Sequence, residues 1–371
     1  MNRFESLSPK KRFFLLTSVF IIFSLILFLL AEIAVRTRMY ILHGSFWSLD
    51  VRSYDKETGL LLPKPNYDIG PIQTNSFGFR SPELESPKQD GTVRLAYMGG
   101  STTFSTEVSS NDATWPAITT NTLQSTNPGT RFEYLNASAV AFHTRDSIGV
   151  FKHRVAEHNP DITFIYHSIN DIVLDGYYAA LSQGKIEEYN KEKALRNKAL
   201  LETSLLVELV HKNLTIASKD TSSSNEIDGK IAYTDDIADS FRQRLTTLVE
   251  MSLDISQLVI IPTFTNMLRD GLSESQLEEA MVTHSFYVKY YGQEDLLNAL
   301  KSYNDVIREF AKNPRVIVVE AEHSVPSTSE YFADSVHFTD AGSKVFGEHV
   351  AKIVANNSVF KDILTSYQSN N

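Results

Sequence analysis

Three side chains, far apart in the chain, could together activate an oxygen nucleophile. Ser101 follows Gly99 and Gly100 at the end of the apolar run Leu95-Ala96-Tyr97-Met98. His337 stands roughly 230 residues later, three residues after Asp334, a separation that only a folded core could close. A serine hydroxyl is a poor nucleophile until a base takes its proton, and imidazole titrates near neutrality. A carboxylate three residues from the histidine could accept its other ring N–H and fix the tautomer. The two glycines are expected where a buried strand ends in a sharp turn, because glycine accepts backbone angles that other residues avoid. Such a turn lifts the serine to the carboxyl edge of a sheet, where open α/β proteins place their chemistry.

The elements needed to position these residues are legible as alternating patterns. Short β-rich runs at Arg94–Met98, Phe132–Asn136, Ile162–His167, Leu258–Thr263 and Val316–Glu320 are nearly continuous in apolar residues, as strands buried on both faces are. Helical stretches are expected at 113–126, 144–158, 237–253, 297–312 and 340–355. Strand–helix alternation implies a three-layer α/β/α domain around a five-stranded parallel sheet. The strand ends are polar: Ser101, Asn136-Ala137-Ser138, His167-Ser168-Ile169-Asn170-Asp171, and then Asp334 to His337 before the last helix. Polar groups converging on one edge are costly unless they pair with each other or with a ligand. Asn170 could also cap the following helix, and Asp171 is expected to be a structural cap.

The N-terminus carries a second signal. Phe13 to Ala31 is an uncharged run of about 19 residues, roughly 28 Å as a helix and close to bilayer thickness. Lys10, Lys11 and Arg12 precede it, so residues 1–12 are expected to be a cytoplasmic tail and 13–33 a single-pass transmembrane anchor. A cleavable signal peptide and a buried core helix are the competing readings. The remainder would lie outside the cytoplasmic membrane. Residues 34–90 read as a juxtamembrane segment rich in turn formers, in which Asn75 to Arg80 is expected to be a lid segment packed on the domain, with Arg80 alternatively a contributor to the site. Residues 91–358 read as the main domain, with inserts at about 175–233 and 266–294, and 359–371 as a C-terminal tail. The first insert holds a charged helical segment from Ile186 to about Leu214 and a polar linker at 220–226. The second, which includes Met267, Met281, Phe286, Tyr287 and Tyr290, could wall a pocket or simply pack on the surface.

Composition excludes several classes. The net charge of −10 argues against a nucleic-acid groove. The absence of cysteine removes disulfides, thiolate nucleophiles and cysteine-based zinc sites. His143, His153, His158 and His167 are not spaced as metal ligands, and no phosphate-cradling glycine loop is present. No metal or cofactor is expected.

Residues 94–105, 136–142, 168–171 and 334–342 together resemble the four blocks of the SGNH hydrolases, also called the GDSL esterase/lipase family. The Gly-Gly-Ser-Thr of residues 99–102 is similar to one branch of it. The likeness spans about residues 72–355 and implies an SGNH/flavodoxin-like fold. It implies Ser101 as nucleophile, His337 as base and Asp334 as its partner. It further implies an oxyanion hole from the N–H of Ser101, the N–H near Ser138 and the amide of Asn170. Three positions depart from the family pattern: Gly100 replaces the usual aspartate, and Ser138 and Ser168 stand near usual glycines. The implied activity is membrane-tethered hydrolysis of an acyl ester, such as an acetyl group on an envelope glycan or a lipid ester. The alternatives are an O-acyltransferase acting on extracytoplasmic polysaccharide and a non-catalytic envelope-binding protein on the same fold.

Overall fold

Five of the apolar runs pair as one parallel sheet. The computed structural model describes residues 8–43, 51–186, 204, 206, 207, 210 and 230–368. A small antiparallel ribbon comes first, β1 (Arg52–Tyr54) with β2 (Leu61–Pro63). The main strands are β3 (Thr92–Gly99), β4 (Arg131–Asn136), β5 (Ile162–Tyr166), β6 (Leu258–Pro262) and β7 (Val316–Val319), in the spatial order β4-β3-β5-β6-β7. Every neighbouring pair is parallel, with Tyr97 opposite both Asn136 and Phe164. All of β3 is buried, which explains its unbroken apolar character. Tyr97 stacks on Phe164 at 4.5 Å and meets Trp115 edge-on at 5.3 Å.

Helices cover the sheet. Before the long insert they are α2 (Ser101–Phe104), α3 (Trp115–Thr126), α4 (Thr144–Val150) and α5 (Ile169–Ser182). After it come α6 (Ile237–Leu253), α7 (Glu274–Tyr287), α8 (Gln293–Glu309), α9 (Asp340–Asn356) and α10 (Ser358–Gln368). A π-helical turn (Phe151–Val155) and a short 3-10 turn (Ala156–His158) extend α4 to the end of the stretch expected to be helical. Thr114 caps α3, its hydroxyl accepting from the Ala117 N–H, and Pro116 follows inside the first turn. Gly347 brings α9 close to α3, since a Cβ there would lie 3.0 Å from Ile118 and from the Trp115 carbonyl oxygen.

The chain divides into two compact units, one of residues 1–50 and 188–225 and one of 51–187 and 226–371. In the first, helix Pro9–His43, here αN, is long and apolar enough to cross a membrane, and its side chains from Phe13 to Ile33 include many large exposed apolar groups. Glu32 on αN accepts hydrogen bonds from the Ser204 hydroxyl at 2.8 Å and the Leu206 N–H at 2.9 Å, and pairs with Arg36.

Several expected boundaries move. αN runs beyond 13–33 at both ends. From residue 51 onward the juxtamembrane segment belongs to the sheet-containing unit, with Leu62, Phe79, Arg80 and Leu84 buried in it, the packing expected for Asn75 to Arg80. Residues 359–368 form most of α10 instead of a tail, because Phe360, Ile363 and Leu364 recur at helical spacing and are buried. The long insert starts later than 175, since Asp175 and Gly176 are buried within α5. Most of the charged helical segment from Ile186 to about Leu214, and the linker at 220–226, lie outside the described residues, as do the side chains of Phe286 and Tyr287.

Candidate active site

β3 runs straight into α2, and Ser101 is that helix's first residue. The glycines before it answer to space and not to backbone angle, contrary to expectation. Neither has a positive φ, and Gly100 sits at φ −90° and ψ −154°. A Cβ on Gly99 would collide with the Thr103 side chain and lie 2.7 Å from the Tyr166 carbonyl oxygen. One on Gly100 would lie 2.6 Å from Asn170 Nδ2 and 3.1 Å from the Phe142 carbonyl oxygen.

The structure brings Ser101, His337 and Asp334 together. His337 Nε2 is 2.8 Å from Ser101 Oγ, and His337 Nδ1 is 2.7 Å from Asp334 Oδ2. Asp334 Oδ1 accepts the main-chain N–H groups of Val336 and His337, each at 2.8 Å, so one carboxylate shapes the loop and orients the ring. Burial alone would raise the Asp334 carboxyl. The ring hydrogen bond, the charge of His337 and these two amides outweigh it and hold the group below the ordinary carboxylate value. An acceptor-only carboxylate leaves the proton on Nδ1 and the lone pair of Nε2 facing the serine hydroxyl.

The second insert supports this loop from behind. The Met267 N–H donates to the Ser335 carbonyl at 2.8 Å, and the Ser335 hydroxyl donates to Ala280 of α7 at 2.5 Å. Met267, Leu268, Tyr290 and Tyr291 are buried, so much of this insert is packing. On the C-terminal side, the Thr339 hydroxyl accepts from the Gly342 N–H and fixes the start of α9.

Asn170 lies in the first turn of α5, with Ser168 in the capping position ahead of it. Its Nδ2 donates to the Phe142 carbonyl at 2.9 Å and retains a second N–H. Asp171 is fully buried and accepts from both the N–H and the hydroxyl of Thr144, at 3.0 and 2.9 Å. It also pairs with Arg244, which holds Asp175 as well.

Ser138 does not join the site. It is fully buried, and its N–H and hydroxyl both turn back to Asn136 Oδ1. A donor there is already spent. The turn after it is closed by the Phe142 N–H to the Ala139 carbonyl and places Ala141 at φ 65°. Ala141 is exposed, and its N–H has no hydrogen-bond partner among the described residues. The sequence hid this position because an alanine stands where a left-handed backbone favours glycine.

Arg80 makes no hydrogen bond to Ser101, His337 or Asp334. It is fully buried, donating to the carbonyls of Phe104 at 2.7 Å, Ser105 at 2.6 Å and Pro71 at 2.7 Å, and to Asn111 Oδ1 at 2.9 Å. Burial lowers its pKa to about 10. Its task is to hold the C-terminal end of α2. An open groove of about 560 Å³ runs between the segment after α2 and the start of α9, lined in part by Thr106, Glu107, Ser109, Glu330 and Asp340. No cluster of three or more His, Asp or Glu side chains fit to hold a metal ion occurs among the described residues.

No family model matches the chain, and no curated protein matches it. Solved structures similar to it include Axe2, an acetylxylan esterase from Geobacillus stearothermophilus, at 12% identity and TM-score 0.44, covering 73% of this chain and 98% of that one. LAE5, an alpha/beta hydrolase enzyme from the metagenome of Lake Arreo, Spain, is similar at 12% identity and TM-score 0.43, over 71% of this chain and 94% of that one.

Proposed function

We propose that the chain is a membrane-anchored serine esterase of the SGNH type, acting on acyl esters outside the cytoplasmic membrane. The observation that carries this reading is the hydrogen-bonded relay from Ser101 Oγ through His337 to Asp334, with separations of 2.8 and 2.7 Å. Ser101 Oγ attacks the ester carbonyl carbon while its proton passes to His337 Nε2. The carbonyl oxygen becomes an oxyanion, and the C–O bond to the alcohol breaks as His337 returns the proton to the leaving oxygen. Water, activated in the same way, then releases the acyl group from Ser101. The N–H of Ser101, the free N–H of Asn170 Nδ2 and the N–H of Ala141, in place of Ser138, serve as oxyanion donors. One such donor is typically worth about 3–4 kcal/mol.

The full chain should hydrolyse p-nitrophenyl acetate and be labelled at Ser101 by a fluorophosphonate. Ser101→Ala should abolish both. Unchanged turnover in Ser101→Ala, or complete indifference of the native serine to the reagent, would defeat the esterase reading. Product analysis with a polysaccharide acceptor present separates hydrolysis from acyl transfer, since a transferase would form acylated glycan in preference to free acid. Anchoring by αN is supported by its apolar length and by Lys10, Lys11 and Arg12 at its start. The chain lacks cysteine, so Lys344→Cys on the exposed face of α9 provides one thiol. A membrane-impermeant maleimide should label it in spheroplasts; labelling only after lysis would reverse the proposed topology.

A further inference from the structure

A second imidazole–carboxylate pair stands beside the nucleophile turn. His143 Nδ1 is 2.8 Å from Asp146 Oδ2, and the same oxygen accepts the His143 main-chain N–H at 3.0 Å. The arrangement repeats that of His337 and Asp334 with the order reversed, the aspartate now following three residues after the histidine. Both neighbours of His143 are tied down by consecutive residues of α5. Asn170 holds the Phe142 carbonyl at 2.9 Å, and Asp171 holds the Thr144 N–H at 3.0 Å. The same Phe142 carbonyl oxygen would be 3.1 Å from a Cβ on Gly100, so His143 begins one peptide bond from the wall of the nucleophile turn.

The chemistry of the ring follows from its partner. Burial would raise the Asp146 carboxyl, but hydrogen bonds from the His143 ring and main chain outweigh this and hold it below the usual carboxylate range. An ionised carboxylate on Nδ1 keeps the proton there and leaves the lone pair on Nε2. That nitrogen has no protein partner among the described residues, and the side chain is 24% exposed. Three other histidines differ. His167 Nε2 is engaged by the Ser147 hydroxyl, while His158 and His284 have theirs buried. His143 is also the N-cap of α4, in a capping box with Asp146. The ring bond adds a fixed acceptor one residue from the Phe142 carbonyl that walls the nucleophile turn.

We infer that His143 Nε2 accepts a hydrogen bond from a free hydroxyl of the substrate, which makes the substrate a partly acylated polyol such as a sugar ester. This rests on the esterase reading and names its substrate class. The test compares a mono-O-acetylated methyl glycoside, the same glycoside fully acetylated, and p-nitrophenyl acetate, with the full chain and with His143→Phe. Phenylalanine keeps the ring and the main-chain cap but has no acceptor. KM for the mono-acetylated glycoside should rise about tenfold in His143→Phe, the worth of one hydrogen bond, and the other two esters should change less than about twofold. His143→Gln, which retains an acceptor, should recover part of the loss. An equal loss on all three esters would mark a structural or catalytic role and overturn the inference. So would an unchanged preference in an active His143→Phe. A native chain inert to p-nitrophenyl acetate and to both glycosides would overturn the esterase reading, and the inference with it.

Discussion

Asp171 grips Thr144 by both its main-chain N–H and its hydroxyl, and so joins the start of α5 to the start of α4. The bond sets the spacing between Asn170 and the turn that holds Ala141, two of the three places where oxyanion donors are proposed. Asp171 also carries a buried ion pair with Arg244, so removing its charge leaves that cation with Asp175 alone. Asp171→Asn should lower kcat on p-nitrophenyl acetate by at least about tenfold and cost about 2 kcal/mol of stability, given the usual penalty for breaking a buried charged contact. Urea denaturation beside steady-state kinetics checks both. A destabilised variant with unaltered kcat would show that the clamp does nothing for the site.

Gly100 should accept no side chain. Alanine would press on Asn170 Nδ2 and on the Phe142 carbonyl together, both backed by packed structure. Gly100→Ala should remain folded by circular dichroism and lose about a hundredfold or more in kcat/KM, because small misplacements of positioned groups are costly. Near-native activity would mean that Asn170 is free to yield.

Arg80→Met should be among the more damaging substitutions outside the Ser101–His337–Asp334 relay. It would strip hydrogen-bond donors from the Phe104, Ser105 and Pro71 carbonyls and from Asn111 in a buried setting. Each buried acceptor left unpaired costs about 1–3 kcal/mol, so a loss of about 3 kcal/mol or more is expected in a denaturant titration. Fluorophosphonate labelling of Ser101 should slow as α2 loosens. A loss under about 1 kcal/mol would show that water replaces the guanidinium without difficulty.

Acid should weaken the fold well before carboxylates titrate. Burial lowers both His167 and His284 to about 4. An unfolded chain titrates its histidines near 6.5. Between these values the unfolded state binds protons that the folded state refuses. Stability is therefore complete above about pH 6.5 and falls as pH drops toward 4, by at most about 3 kcal/mol per histidine. Asp334, held low, adds a further loss once pH falls below about 4. Asp175, raised by burial despite Arg244, works in the opposite direction. His284 Nε2 has no partner, so His284→Met should flatten part of the acid slope without harming stability at pH 7.5. Urea midpoints at pH 7.5 and 5.0 test this; equal midpoints in the native chain would contradict it.

The strand order of the sheet and the approach of Ser101 to His337 show two degrees of legibility. Parallel strands buried on both faces leave unbroken apolar runs, so β3 through β7 stood out within a residue or two. The long uncharged N-terminal run was equally plain, since composition and length alone make a helix fit to span a bilayer. Residues 51–90 and α10 were harder, because Leu62, Phe79 and Phe360 reveal their burial only against partners remote in the chain. The amino-acid order also carries the chemical types, and Ser101, Asp334 and His337, which the structure joins by hydrogen bonds, are legible in it; the role proposed for Asn170 comes from the family resemblance. What it could not decide was which main-chain N–H stays unpaired. Ser138 turns inward to Asn136 while Ala141, in a left-handed turn, keeps its amide open. That choice depends on how the loop after β4 meets α5, and only three-dimensional packing settles where a backbone hydrogen bond goes.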